Sequence, residues 1–264
     1  MSKYPTHPLD YLDDLGIDEV WRFILSHPDM DHMDGIDPLF REKRVVNYWD
    51  SGVRRRKPQF NGGSPDSEAD WDRYQSILDG TEQGLQVLQK QHGASFAHAN
   101  EPKGDHDGLR ILAPDRKLVA SVDDETNDAS YVVLYHSAGG KILMPGDAHD
   151  ETWGFVLQNY PEAISDCSIL VAPHHGRDSN MDFSFLEVVN PKIVLMGAAN
   201  SKDLAYDKYR RFETITNNQA GNVVAETNSS GGLDVFVQNE KFAVAAGRAP
   251  AITNAQGYTF YLAV

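Results

Sequence analysis

Cysteine is nearly absent. Cys167 is the one thiol in 264 residues, so no disulfide can close within the chain and a closed thiolate zinc site is excluded. Long apolar runs are missing too: no stretch reaches the roughly 20 residues needed to cross a bilayer. The opening Met1-Ser2-Lys3-Tyr4-Pro5-Thr6-His7 lacks the apolar core of a secretory signal, and with a reducing compartment compatible with lone Cys167, the expected location is cytoplasmic. Positive charge is scarce. Lys and Arg number 24 against 39 Asp and Glu, a net charge of -15, which repels polyanions taken as a whole and argues against broad duplex binding. Bound divalent ions would reverse that sign locally, so a phosphate ester at a metal centre stays open. No repeat or low-complexity linker divides the chain, and its length suits one domain over 1–264, with a loop and helix insertion around 50–107.

What is present is concentrated. Ser26-His27-Pro28-Asp29-Met30-Asp31-His32-Met33-Asp34-Gly35 puts four potential ligands, His27, Asp29, Asp31 and His32, into six residues. The cluster follows an apolar run, Val20 to Leu25, that reads as a buried strand. Alternation in an extended segment places His27, Asp29 and Asp31 on one side, and His32 turns inward where the next helix begins. Imidazole with carboxylate suits Zn, Mn or Fe. The plainer reading is an Asp- and His-rich turn with Asp31 capping the helix; four ligand types at this spacing favour a metal cluster.

The flanking segments read as alternating helices and strands, a layered α/β rhythm. Residues 8–16 predict a helix stopped by Gly16, residues 36–40 another, and 45–49 a strand. A loop with Pro58, Gly62, Gly63 and Pro65 follows, containing Arg54, Arg55, Arg56 and Lys57. This basic run either holds a phosphate backbone near the site or is solvated loop charge. Trp71, Tyr74, Leu78, Leu85 and Leu88 keep helical spacing up to Gly93, weakened by Gly80 and Gly84. Strands are expected over 109–112, 130–135 and 141–144, the last leading into Pro145-Gly146-Asp147-Ala148, where Asp147 would project from a strand end. A helix over 152–159 leads to the strand 168–172 and then Pro173-His174-His175-Gly176. Helices over 183–189 and 207–217 alternate with strands over 192–196, 223–227, 233–237, 241–245 and 259–262.

In this order the strand-end clusters look like the metallo-β-lactamase fold superfamily. More narrowly they resemble its ComEC-like branch, related to the soluble domain of the DNA-uptake competence protein. The resemblance rests on the helix ending Leu15-Gly16-Ile17, the Ser-His-Pro-Asp-x-Asp-His loop with Gly35 behind it, and Asn127-Asp128-Ala129-Ser130. Pro145-Gly146-Asp147-Ala148, Pro173-His174-His175-Gly176 and Glu226-Thr227-Asn228-Ser229-Ser230-Gly231 complete it. It implies an α/β (α+β) fold, a four-layer αββα sandwich with one or two divalent ions, Zn or Mn, at the sheet edge and a metal-bound hydroxide as nucleophile. His27 and Asp29 would hold the first ion and Asp31 and His32 the second. Asp147 would bridge them, and His175 would complete the second site, with His174 as competing candidate. Asp29 stands where the superfamily usually has His, which shifts the expectation toward Mn. Asn127 falls near the usual third-cluster His, leaving the first ion a poor protein shell. Only 26 residues precede His27, so the first part of one sheet that the resemblance implies is not expected; either the chain is a truncated or restarted version of a longer parent, or a second copy or a partner chain completes that sheet edge.

The expected chemistry is hydrolysis of a phosphodiester in a nucleotide or nucleic acid, with Asp31 or Asp147 orienting the nucleophile and taking its proton. Asn127 and the run Arg54, Arg55, Arg56 and Lys57 would contact substrate, and Cys167 would be core. The alternatives are an ester, thioester or lactone hydrolase of the same fold, or a binding or scaffold module that has lost the chemistry.

Overall fold

The computed structural model describes residues 6–60, 67–92, 107–123, 126–197, 199–248 and 252–264. Residues 1–5, 61–66 (with Gly62, Gly63 and Pro65), 93–106 (with Gly93), 124–125, 198 and 249–251 lie outside the described residues, so the part of the expected insertion over 93–106 does too.

Helix α1 (Pro8–Asp14) starts on a proline, whose missing N–H is unneeded in the first turn. Strand β1 (Glu19–Ile24) follows, then two short helices, α2 (Met30–Met33) and α3 (Ile36–Glu42), and β2 (Arg44–Asp50), parallel to β1 with Ile24 opposite Trp49. Helix α4 (Glu68–Leu78) is capped by the Ser67 hydroxyl, which accepts from Asp70 N–H. Strand β3 (Gln86–Gln89) adds parallel to β2 and closes a three-stranded sheet.

The second sheet has six strands. β4 (Leu109–Ala113), β5 (Val132–Ser137) and β6 (Gly140–Met144) form an antiparallel meander, with α5 (Arg116–Ser121) between the first two. From β6 onward the pairing is parallel. α6 (Asp150–Asn159) and α7 (Pro161–Ile164) lead to β7 (Ile169–Val171), α8 (Phe185–Val189) leads to β8 (Ile193–Met196), and α9 (Tyr206–Tyr209) to β9 (Glu213–Thr216). After α10 (Asn217–Ala220), the antiparallel strands β10 (Val223–Thr227), β11 (Leu233–Val237) and β12 (Thr259–Ala263) make a third sheet, with α11 (Glu240–Ala245) before the last.

Strand periodicity distributes the core. In β8, Val194 and Met196 join Leu143, Leu170, Trp153, Val156 and Phe185 in one cluster, while Ile193 and Leu195 face the other way onto Leu233, Val235, Val237 and Tyr261 of the third sheet. At the antiparallel end of the same face, Ile111, Val133 and Met144 pack on Ile24, Trp49 and Leu88 of the first sheet. The first sheet's opposite side, Phe23 and Tyr48, is covered by Met33, Ile36, Trp71 and Ile77 from α2, α3 and α4. The chain is therefore a mixed α/β protein. Among the described residues no helix is long and apolar enough to cross a membrane.

Three elements depart from the pattern reading. The helical spacing from Trp71 to Leu88 ends at Leu78, because Gly80 and Gly84 adopt left-handed φ of 68° and 76° and turn the chain, and Gln86–Gln89 pairs as β3. Over 207–217 only α9 and the first residue of α10 are helical; the β-branched run Thr214-Ile215-Thr216 extends the sheet instead, with Ile215 packed beside Ile193. Residues 241–245 are helical rather than extended. Asn239 caps them by accepting from Lys241 N–H, and Phe242 stacks on Tyr261 at 5.3 Å.

Asp70 ties α4 to the turn behind the ligand loop. It is 3% exposed and accepts from Gly35 N–H at 3.2 Å and Asp37 N–H at 2.8 Å. Asp70→Ala is expected to destabilise the protein by about 1–3 kcal/mol in urea unfolding, because it strands two donors; an unchanged midpoint would refute this anchoring role.

Candidate metal centre

The candidate ligands sit where strands end. β1 runs out at Ser26-His27, whose position is fixed when Tyr131 N–H donates to Ser26 O at 2.9 Å. β6 ends in Gly146-Asp147, with Gly146 at a φ of 56°. A Cβ on Gly146 would lie 2.8 Å from Ser26 Cβ, so only glycine lets these two strand ends approach. β7 ends in His174 and His175, both left-handed at φ 49° and 57°. Two consecutive non-glycine residues in that region are strained and need support; His174 N–H donates to Gly146 O at 3.2 Å, linking the β7 and β6 ends.

These ends bring the imidazoles together. The rings of His27 and His32 have centroids 4.1 Å apart, and those of His32 and His175 4.9 Å. Ser26 Oγ lies 3.1 Å from His27 Nδ1 and 3.0 Å from His32 Nδ1, and Ser130 Oγ lies 3.2 Å from His27 Nδ1. A hydroxyl has one proton, so Ser26 can donate to only one of the two rings and must accept from the other. A ring that donates through Nδ1 presents a bare Nε2 lone pair, the tautomer a metal requires.

The Nε2 atoms of His27, His32 and His175 are all shielded from solvent and lack an aligned hydrogen-bond partner. Carboxylates lie close by: Asp147 Oδ1 is 3.1 Å from His32 Nε2, Asp147 Oδ2 is 3.7 Å from His175 Nε2, and Asp31 Oδ2 is 3.3 Å from His175 Nε2. Two sets each have ligand atoms within 4.8 Å of one another, His27 with His32 and Asp147, and Asp31 with His32 and His175. Unpaired imidazole nitrogens facing a carboxylate that is 4% exposed fit a divalent cation. His32 belongs to both sets. Its single available nitrogen can serve one ion.

The local electrostatics agree. Burial pushes the His27 pKa down to about 4, and the neighbouring His32 adds to this, so the ring is neutral at neutral pH. The contact with His175 holds the Asp31 carboxyl well below its ordinary range against the effect of burial. Burial pushes Asp147 up, but His32, His27 and His175 outweigh it and keep it ionised.

The remaining expected residues take other positions. Asp29 Oδ1 is held by Arg55 and by Thr126 Oγ1, while Oδ2 is 3.9 Å from His27 Nε2, so Asp29 flanks the groups without joining either. His174 directs Nδ1 to Ser179 Oγ and His149 Nε2, each at 2.8 Å, with its Nε2 3.7 Å from Asp147 Oδ2; His175 is the member of the pair brought into a group. Asn127 is half-buried and its carbonyl accepts from Ser130 N–H at 3.0 Å. Every cation of the basic run lies beside a carboxylate: Arg54 forks onto Asp50 at 2.9 and 2.8 Å, Arg55 meets Asp29, Arg56 approaches Asp123 at 3.4 Å, and Lys57 contacts Glu68 at 2.8 Å.

Pattern reasoning missed the groups that orient the ligands. Ser26 and Ser130 flank His27, Thr126 grips Asp29, and His149 and Ser179 fix His174. Their only sequence signal is adjacency, with Ser26 next to His27 and His149 two residues beyond Asp147. Ser130 also accepts from Asp147 N–H at 3.2 Å, so one hydroxyl braces ligands from two strand ends. Ser130→Ala is expected to weaken divalent-metal binding by about 10- to 100-fold in a chelator competition; unchanged affinity would remove it from the site.

No protein-family model matches the chain, and a search of curated proteins finds no match.

Proposed function

We propose that the chain is a divalent-metal-dependent hydrolase of the metallo-β-lactamase type, similar to the ComEC-like branch, acting on phosphodiesters of nucleotides or nucleic acid. One observation carries this reading: three solvent-shielded Nε2 atoms without hydrogen-bond partners converge on buried Asp147 at the ends of strands from two sheets. The four apolar clusters support an αββα arrangement, with helices over the six-stranded sheet on one side and α2 to α4 over the first sheet on the other.

His27, His32 and Asp147 would hold one ion, and Asp31 and His175, with water, a second. When bound, such ions supply Lewis acidity toward water and toward a phosphoryl oxygen. Asp31, whose side chain is 55% exposed, would accept a proton from an attacking water. Asp147, braced through Ser130, is the fixed anionic floor. Arg55 locks Asp29 and so shapes the rim rather than the centre.

A lactone or thioester hydrolase uses the same centre and is the second reading within enzymes. A binding module without chemistry is the third, favoured by the departure at Asn127. The cytoplasm remains the proposed location. The proposed protein partner is a second copy or a separate strand at β1, which among the described residues has a sheet neighbour on one side only and carries Trp21 at 54% exposure.

Metal analysis of protein purified without a His-tag is expected to find one or two equivalents of Zn or Mn. Bis(p-nitrophenyl) phosphate should be cleaved by that protein and not by Asp147→Asn. Cleavage of lactones alone would replace the phosphodiester reading with the second one, and absence of metal would leave the module.

A further inference from the structure

Arg177 follows the His-His-Gly turn directly, two residues after His175. Its backbone is pinned on both sides: its N–H donates to His174 O at 3.0 Å, and it bridges Leu204 in antiparallel fashion. Ala205 N–H donates to Gly176 O at 2.9 Å, tying the same turn to the 203–205 segment. The side chain is half-buried, yet its Nε is shielded from solvent and has no hydrogen-bond partner.

Two other part-buried arginines have acidic companions. Arg22 lies 2.5 Å from Asp107, and Arg248 lies 3.8 Å from Glu213. Among the described residues Arg177 has no carboxylate within ion-pair distance, in a protein carrying 39 acidic residues. A shielded guanidinium N–H without an acceptor is unfavourable unless a ligand supplies one. The basic run over 54–57, which the sequence offered for phosphate contact, is already matched by Asp50, Asp29, Asp123 and Glu68.

We propose that Arg177 is the anion-binding residue of this site, receiving a non-bridging oxygen of a phosphate ester beside the His27, His32, Asp147 and His175 cluster. The inference deepens the hydrolase reading and rests on it for the identity of the anion as substrate. A guanidinium presents a planar fork of donors that matches phosphate oxygens. The neighbouring backbone bonds hold the fork's root in place before any ligand arrives, which reduces the ordering that binding requires. Arg177 would offset the carboxylates of Asp31 and Asp147, which have imidazoles as their ion-pair neighbours among the described residues.

The test measures inorganic phosphate binding by calorimetry on the full chain, once with Mn present and once with chelator, for wild type, Arg177→Gln and Arg177→Lys. Metal content and thermal midpoint are recorded for each. Arg177→Gln should weaken phosphate at least about ten-fold, the effect expected from losing a charge-assisted hydrogen bond, with metal content unchanged. Arg177→Lys should keep part of the affinity because it retains the charge without the fork. With bis(p-nitrophenyl) phosphate the Gln variant should raise KM more than it lowers kcat. Equal phosphate affinity in wild type and Arg177→Gln, no phosphate binding by wild type in either condition, or equal binding of acetate would overturn the proposal. A chain that takes up no metal yet loses phosphate on Arg177→Gln keeps this inference and loses the hydrolase; full metal content with unchanged phosphate affinity does the opposite.

Discussion

Bare imidazole nitrogens held away from water are the constraint on which the rest of this structure depends. An imidazole nitrogen shielded from water gives up its hydration, and here three do so within one cluster, with the carboxylates of Asp147 and Asp31 as their nearest polar neighbours. Several features keep them there. Ser26 and Ser130 hold the far sides of His27 and His32, Gly146 allows the strand ends to close, and the left-handed pair His174-His175 turns β7 back over Asp147. A fold with no use for that arrangement would relieve it cheaply by rotating one ring toward solvent.

Charge is organised around the same point. A net charge of -15 would make an open pocket repel phosphate everywhere, yet the cations nearest the ligand loop are used to neutralise carboxylates. Arg55 pairs with Asp29, Arg54 with Asp50 and Arg73 with Asp37, whereas the ion-pair neighbours of Asp31 and Asp147 among the described residues are imidazoles; Arg73 and Asp70 both converge on Asp37. Asp50 is buried and the side chains of Asp29, Asp37, Arg55 and Arg73 are at most 30% exposed, so these pairs are largely withdrawn from solvent. Their consequence is geometric, because they fix the loop over 50–57 and the α3–α4 contact on which the ligand turn rests.

Much of this was legible in the sequence. The loop of alternating candidate ligands, Asp147 after a glycine and the adjacent His174 and His175 declare themselves, because buried strands such as β7 read as apolar runs and polar groups follow where the run stops. The run before His27 does form a strand, but an edge strand with no fully buried residue and Trp21 54% exposed rather than the buried one expected. The structure adds what spacing cannot supply. Trp71 to Leu88 carried a helical stripe that two glycines divided, and Lys241 to Ala245 alternated like a strand while an Asn239 cap made it a helix. Tertiary context also decided the ligand grouping. Alternation set Asp29 beside His27, but the short helix α2 begins immediately afterwards and carries Asp31 and His32 around, so His32 meets His27 and Asp29 turns to Arg55 and Thr126. The orienting serines were invisible for a simpler reason: a hydroxyl's partner is a matter of distance across the fold, 103 positions in the case of Ser130 and His27.

The centre is assembled from two sheets, and this determines how its geometry is kept. β6 and β7 deliver Asp147 and His175 from the six-stranded sheet, at the carboxyl ends of parallel strands where α/β folds place their sites. β1, in the other sheet, delivers His27 and His32. Nothing in either sheet alone sets the spacing between these groups. It is set by the layer between the sheets, where Trp49 and Tyr131, each 1% exposed, pack with Ile111 and Val133. Interiors are close-packed and resist small shifts, and a displacement there of a fraction of an ångström passes directly into the separation between His32 and Asp147. The rigidity of an apolar layer is therefore what lets polar groups from residues more than a hundred positions apart lie within 4.8 Å of one another.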